Sequence, residues 1–98
     1  MTPPTDSDHA TVVIPRQLRE VFSTAGREPV PAGTVAGAIA SLDARYPGIA
    51  ERILEEGGGP RRYVNIFLNG QPIADLGGMD AELEGPDLLW IIPAVAGG

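Results

Sequence analysis

The residues with the clearest chemical potential in this chain are its last two, Gly97 and Gly98. They follow an apolar run, Leu88-Leu89-Trp90-Ile91-Ile92, and a short connector, Pro93-Ala94-Val95-Ala96. A tail without side chains enters a narrow partner cleft where any Cβ would clash. The working group would then be the Gly98 carboxylate itself, with Ala96 and Gly97 threading behind it.

Other chemistries find few residues to work with. There is no cysteine, which excludes disulfides, thiolate metal sites, iron–sulfur ligation and a cysteine nucleophile. The only histidine, His9, falls in a polar leader, so His-based triads and H-E-x-x-H metal sites are excluded. Gly57-Gly58-Gly59 is no phosphate loop, because that motif needs a lysine and the chain has none. Carboxylate pairs such as Glu55-Glu56 leave an acid/base dyad open, but no spacing singles one out from a solvated charged face. Arg61-Arg62 could hold an anion or simply stand in solvent at the start of a strand. No cofactor or metal is expected on this chain.

The net charge of −6 argues against nucleic acid and favours a partner with a basic docking face. The first residues show neither a basic n-region nor an apolar h-region, and no apolar stretch approaches ~18 residues. The expectation is a cytoplasmic protein that does not span a membrane.

The elements that must position the tail follow from periodicity. Residues 1–9 are rich in Pro, Thr, Asp and Ser and read as a disordered leader. Residues 10–95 read as one domain, and 96–98 as a flexible tail. Ala10 to Pro15 is β-branched and predicts a first strand. Leu18, Val21 and Phe22 suit either one helical turn or a loop that buries Phe22. Glu28 to Ala32 is proline-rich, acceptable only at a sheet edge. Thr34 caps a helix from Val35 to Tyr46, with Val35, Ile39, Leu42 and Tyr46 on one face. Ile49 to Glu56 predicts a second short helix. Arg62 to Asn69 alternates, with Val64, Ile66 and Leu68 toward the core. Asn69-Gly70 signals a type I′ hairpin into a short strand at 71–74, and 76–83 reads as turns. Asp87 to Pro93 is the last strand, apolar enough on both faces to sit centrally.

One helix across one face of a mixed sheet of four to five strands accounts for this order: an α+β roll. Phe67 and Trp90 then share the opposite face, beside Tyr63 and Ile92, either as a docking patch near the tail or as aromatics covered by a loop or by arginine stems.

Three segments carry a family resemblance: Leu42-Asp43-Ala44-Arg45-Tyr46-Pro47-Gly48-Ile49, Tyr63-Val64-Asn65-Ile66-Phe67-Leu68-Asn69, and Asp87 through the closing Pro-Ala-Val-Ala-Gly-Gly. Over roughly residues 10–98 the chain resembles the ubiquitin-like β-grasp sulfur carriers of the MoaD/ThiS family, nearest to the CysO type. The resemblance implies that a ubiquitin-activating-type enzyme adenylates Gly98, consuming ATP, and that a sulfur donor converts it to a thiocarboxylate. A cysteine-synthase-like enzyme would accept the sulfur, and a metal-dependent protease would release the cysteine formed. Catalytic residues would belong to those partners, and this chain would be a co-substrate rather than an enzyme. A carrier for molybdopterin, thiamine thiazole or a natural product, a protein modifier, and an interaction module with an idle tail stay open.

Overall fold

The computed structural model describes residues 9–93. Residues 1–8 of the leader expected at 1–9, and the tail residues Ala96, Gly97 and Gly98, therefore lie outside the described residues. His9, read as the end of the leader, opens the first strand instead, where it pairs with Pro31. The elements in chain order are β1 (His9–Val13), α1 (Arg16–Phe22), β2 (Arg27–Pro31), β3 (Gly33–Thr34), α2 (Val35–Arg45), α3 (Ile49–Ile53), β4 (Val64–Leu68), β5 (Gln71–Pro72), β6 (Glu82–Leu83) and β7 (Leu88–Pro93).

Five strands form one mixed sheet in the order β2-β1-β7-β4-β5. β7 runs parallel to β1 and antiparallel to β4, so the last strand is central. Its apolar residues explain the place. Leu89 and Ile91 are buried on the helix side, while Leu88 and Trp90 stay half-covered on the other. The prolines of β2 sit at the sheet edge, where that strand pairs only with β1 and a missing N–H costs little.

α2 packs across the sheet through Val35, Ala38, Ile39 and Leu42, all with no exposed surface. Their i, i+3, i+4, i+7 spacing is one helix face, and Val35, Ile39 and Leu42 each contribute roughly 1.5–3 kcal/mol on burial. Thr34 caps the helix as expected, its hydroxyl accepting the Gly37 amide at 3.0 Å. Asp43 then caps the next helix from outside, its carboxylate accepting the amides of Gly48 and Ala50 at 3.0 and 3.1 Å. Asn69 and Gly70 both take positive φ, 51° and 89°, as the type I′ turn requires.

Several local expectations are revised. Residues 16–22 form a seven-residue helix rather than one turn. The second helix ends at Ile53, three residues early. Val64 is only half-buried, since it opens β4 at the sheet's end. Within the turn region, Glu82–Leu83 pairs with Gly33–Thr34 as a second, two-stranded sheet. Strands this short have no periodicity to read.

Glu28 is the one buried charged residue among the described residues, 5% exposed. It accepts hydrogen bonds from the Tyr46 hydroxyl at 2.7 Å, the Ala25 amide at 2.9 Å and Arg45 at 3.1 Å. Burial pushes its carboxyl upward, but the Tyr46 and Ala25 donors and the Arg45 charge together hold it below the usual value. Tyr46 is raised in turn, chiefly by its bond to Glu28. A carboxylate held low contributes stability that is present above its unfolded pKa and lost as pH falls through the folded one. Tyr46→Phe keeps the ring and removes the donor, so about 1.5–3 kcal/mol should be lost at pH 7. The deficit should shrink once Glu28 protonates in acid. Denaturation of both proteins at neutral and acid pH checks this; an equal deficit at both would remove the ionised Glu28 from the account.

Candidate functional site

The site is built on the end of β7, from which the chain continues to its last residues. The strand is gripped at its start and along both flanks. The Leu88 amide donates to Asn69 Oδ1 at 2.9 Å, and the Asn69 amide donates to the Leu88 carbonyl at 2.9 Å. Asn69 Nδ2 reaches Asp87 Oδ1 at 3.0 Å, the Glu84 amide donates to Asp87 Oδ2 at 2.8 Å, and the Thr11 amide donates to the Asp87 carbonyl at 3.0 Å. Further along, Val13 and Phe67 flank Trp90, and Pro93 pairs with Val64. Whatever follows Pro93 is therefore carried on a strand fixed in the middle of the sheet.

The open face of the sheet carries a transverse row. Arg27, Val13, Trp90, Phe67 and Pro72 are successive register partners across all five strands. Phe67 and Trp90 are thus brought together as cross-strand neighbours, both half-buried. Ile92, 40% exposed, lies two residues beyond Trp90 on the same face, opposite Asn65. Tyr63 is not part of this row. It precedes β4, is 56% exposed, and lines a separate groove with Leu18, Arg52, Arg61, Val64 and Pro93. The expected four-residue patch is therefore three residues on the sheet face and one around its end.

Sequence reading missed the arginines beside this face. Arg16, Arg19 and Arg27 line a hollow of about 470 Å³ with Val13, Trp90, Ile92 and Pro93. They come from α1 and β2, and no local motif links them. Among the described residues there is no cluster of His, Cys, Asp or Glu that could hold a metal ion. No helix is long and apolar enough to cross a membrane. The described side chains supply binding surface and charge. They form no assembled nucleophile and base.

A mixed five-stranded sheet wrapped on one main helix, with its last strand central, is the ubiquitin-like β-grasp architecture. Within that class the chain belongs to the ThiS family, whose model matches residues 12–98. It is 37% identical over 94 residues to the sulfur carrier protein CysO of Mycobacterium tuberculosis, spanning 92% of this chain and 99% of that protein. It is 38% identical over 65 residues to small archaeal modifier protein 3 of Haloferax volcanii, spanning 66% and 70% of the two chains. Among solved structures, a chain of the Amycolatopsis orientalis BexX/CysO complex matches with a TM-score of 0.83 and 34% identity, over 91% of this chain and 99% of that one.

Proposed function

We propose that this chain is a cytoplasmic sulfur carrier of the CysO type, a co-substrate rather than an enzyme, whose Gly98 carboxylate is adenylated and then converted to a thiocarboxylate. The observation that carries the reading is the match to a sulfur carrier over nearly the whole of both chains, together with a family match that runs through residue 98. The chemistry suits the group. An α-carboxylate, with a reference pKa of about 3.3–3.7, is ionised at neutral pH and acylates poorly, so ATP must activate it. A carboxylate oxygen attacks the α-phosphorus and pyrophosphate leaves. A sulfur donor then displaces AMP, leaving sulfur on a tether that keeps its local concentration high. Both ATP and the catalytic residues belong to a ubiquitin-activating-type partner. Cysteine is the favoured destination, through a cysteine-synthase-like acceptor and a metal-dependent protease that regenerates Gly98.

The test is intact mass after incubation with the adenylating enzyme, ATP and a sulfur donor. One oxygen-to-sulfur exchange at the C-terminus is expected, and an unchanged mass would remove the reading. Protein modification is the second reading, favoured by the archaeal modifier relative. A ladder of heavier conjugates in place of the thiocarboxylate would select it. The absence of lysine leaves an activated Gly98 no lysine amine within its own chain under either reading.

Phe67, Trp90 and Ile92 form the docking face in this proposal, with Tyr63 at its margin. A half-buried aromatic pair beside an exposed Ile92 offers a partner apolar area near the tail. Trp90→Ala and Phe67→Ala should each weaken binding to the adenylating enzyme by about 2 kcal/mol, roughly thirtyfold, if they are central anchors. Titration calorimetry on folded variants checks this, and near-wild-type affinity would assign the pair to folding alone.

A further inference from the structure

Five of the seven arginines gather where β7 ends. Arg16, Arg19 and Arg27 line the hollow on one side of Pro93, and Arg52 and Arg61 line the groove on the other. All five are exposed. Of these five, only Arg16 is in an ion pair among the described residues, with exposed Glu20 at 3.2 Å. Arg61 Nε donates to the Glu51 backbone carbonyl at 2.6 Å, which fixes its stem and leaves its charge uncompensated by that contact.

The opposite end of the strand carries the other sign. Residues 75–87 hold Asp75, Asp80, Glu82, Glu84 and Asp87 with no arginine or lysine, and β7 starts immediately after Asp87. Glu51, Glu55 and Glu56 form an acidic flank beside Arg61 and bound the positive region on that side. Glu28 is buried and already satisfied by three donors. Arginines thus line the end of β7, while its start directly follows an acidic segment. The net charge of −6 led to the expectation of a basic partner face, and at the root of the tail the local sign is the reverse.

We propose that these arginines form a cationic collar that docks on an acidic segment of the adenylating partner, Asp and Glu side chains around the mouth of the cleft the tail enters. The inference rests on the carrier reading and adds the chemistry of the partner's rim. Guanidinium forks suit carboxylates, which accept two parallel hydrogen bonds. Net acidity opposes nucleic acid as the occupant. Separated poles also orient the encounter, turning the tail end toward a negative mouth and the 75–87 end away from it.

Two measurements test the collar. A hexaglutamate peptide titrated at low salt should shift the amide resonances of Arg16–Arg19, Gly26–Arg27, Arg52 and Arg61. Shifts elsewhere, or none, would overturn the assignment. Stopped-flow association with the adenylating enzyme from the same organism should be slowed about three- to tenfold by Arg19→Glu and by Arg27→Glu at low ionic strength. Arg62→Glu makes the same change in net charge but lines neither hollow, and should stay within about twofold of wild type. The differences should vanish near 1 M salt, where the Debye length is about 3 Å. If the wild type is adenylated and all three variants associate alike, the collar is wrong and the carrier reading stands. If the wild type is not adenylated, both fall. Self-association abolished by Arg19→Glu would assign the surface to a second copy and overturn the proposal.

Discussion

Deletion of Gly98 should lower the rate of adenylation, read as ATP–pyrophosphate exchange, by on the order of 100-fold or more while leaving the fold intact. The truncated chain still ends in a carboxylate, but that carboxylate stops about 3.3–3.6 Å short of its place. Misplacing a reacting atom by even about 1 Å can cost roughly 100-fold, because the reaction depends on near-attack geometry. Gly97→Val should fall by a similar factor for a different reason. Its branched side chain is added where, under the carrier proposal, the tail threads into a narrow partner cleft. Neither change removes a contact among the described residues, which end at Pro93. Thermal stability should therefore move by no more than about 0.5 kcal/mol. An interaction module with an idle tail predicts no exchange even for the wild type, and partner binding unchanged in both variants. Full exchange by the truncated chain would exclude Gly98 as the working group.

Much of this architecture was legible because its signals are local. Ile66 and Leu68, then Leu89 and Ile91, alternate with period two, and those four residues are buried in one core cluster with the inner face of α2. The near-continuous apolar run from Leu88 to Ile92 needed neighbours on both sides, and β1 and β4 provide them. Thr34 and Asn69-Gly70 carry their conformations in their own side chains and backbone preferences.

What sequence reading missed is assembled from distant parts. Nothing in the proline-rich segment Glu28 to Ala32 marks Glu28 as a buried carboxylate. Its burial depends on Arg45 and Tyr46, seventeen and eighteen residues further on. Tyr63 was extrapolated along the β4 alternation, but the strand begins one residue later and the ring turns to another groove. The arginine collar draws on α1, β2, α3 and the segment before β4, so no window of sequence contains it. The net charge averaged it away, since thirteen acidic residues outnumber seven basic ones in the chain as a whole.

Leu89→Ala should be the most damaging single core change, at about 3 kcal/mol within the usual range of ~2–5 for Leu→Ala. Leu89 has no exposed surface and sits on the central strand, with Val12 on one side and Leu68 on the other. Both neighbours are themselves held in the sheet, so they cannot collapse far into the space left. The cavity term therefore adds to the lost transfer energy. For a domain of this size, that loss corresponds to a fall in Tm on the order of 15 °C. Trp90→Ala should cost less in stability, because its ring is half-exposed on the face away from α2. The two substitutions on one strand thus separate two roles. Leu89→Ala should lower Tm steeply yet leave the adenylation rate near wild type at 10 °C, where the protein is still folded. Trp90→Ala should weaken partner binding at every temperature. Denaturant unfolding with an unchanged m-value, paired with exchange assays at low temperature, measures both. A Leu89→Ala loss below about 1 kcal/mol would mean that β7 is not the mechanical centre of the sheet. The tail could then not be treated as mounted on a rigid root.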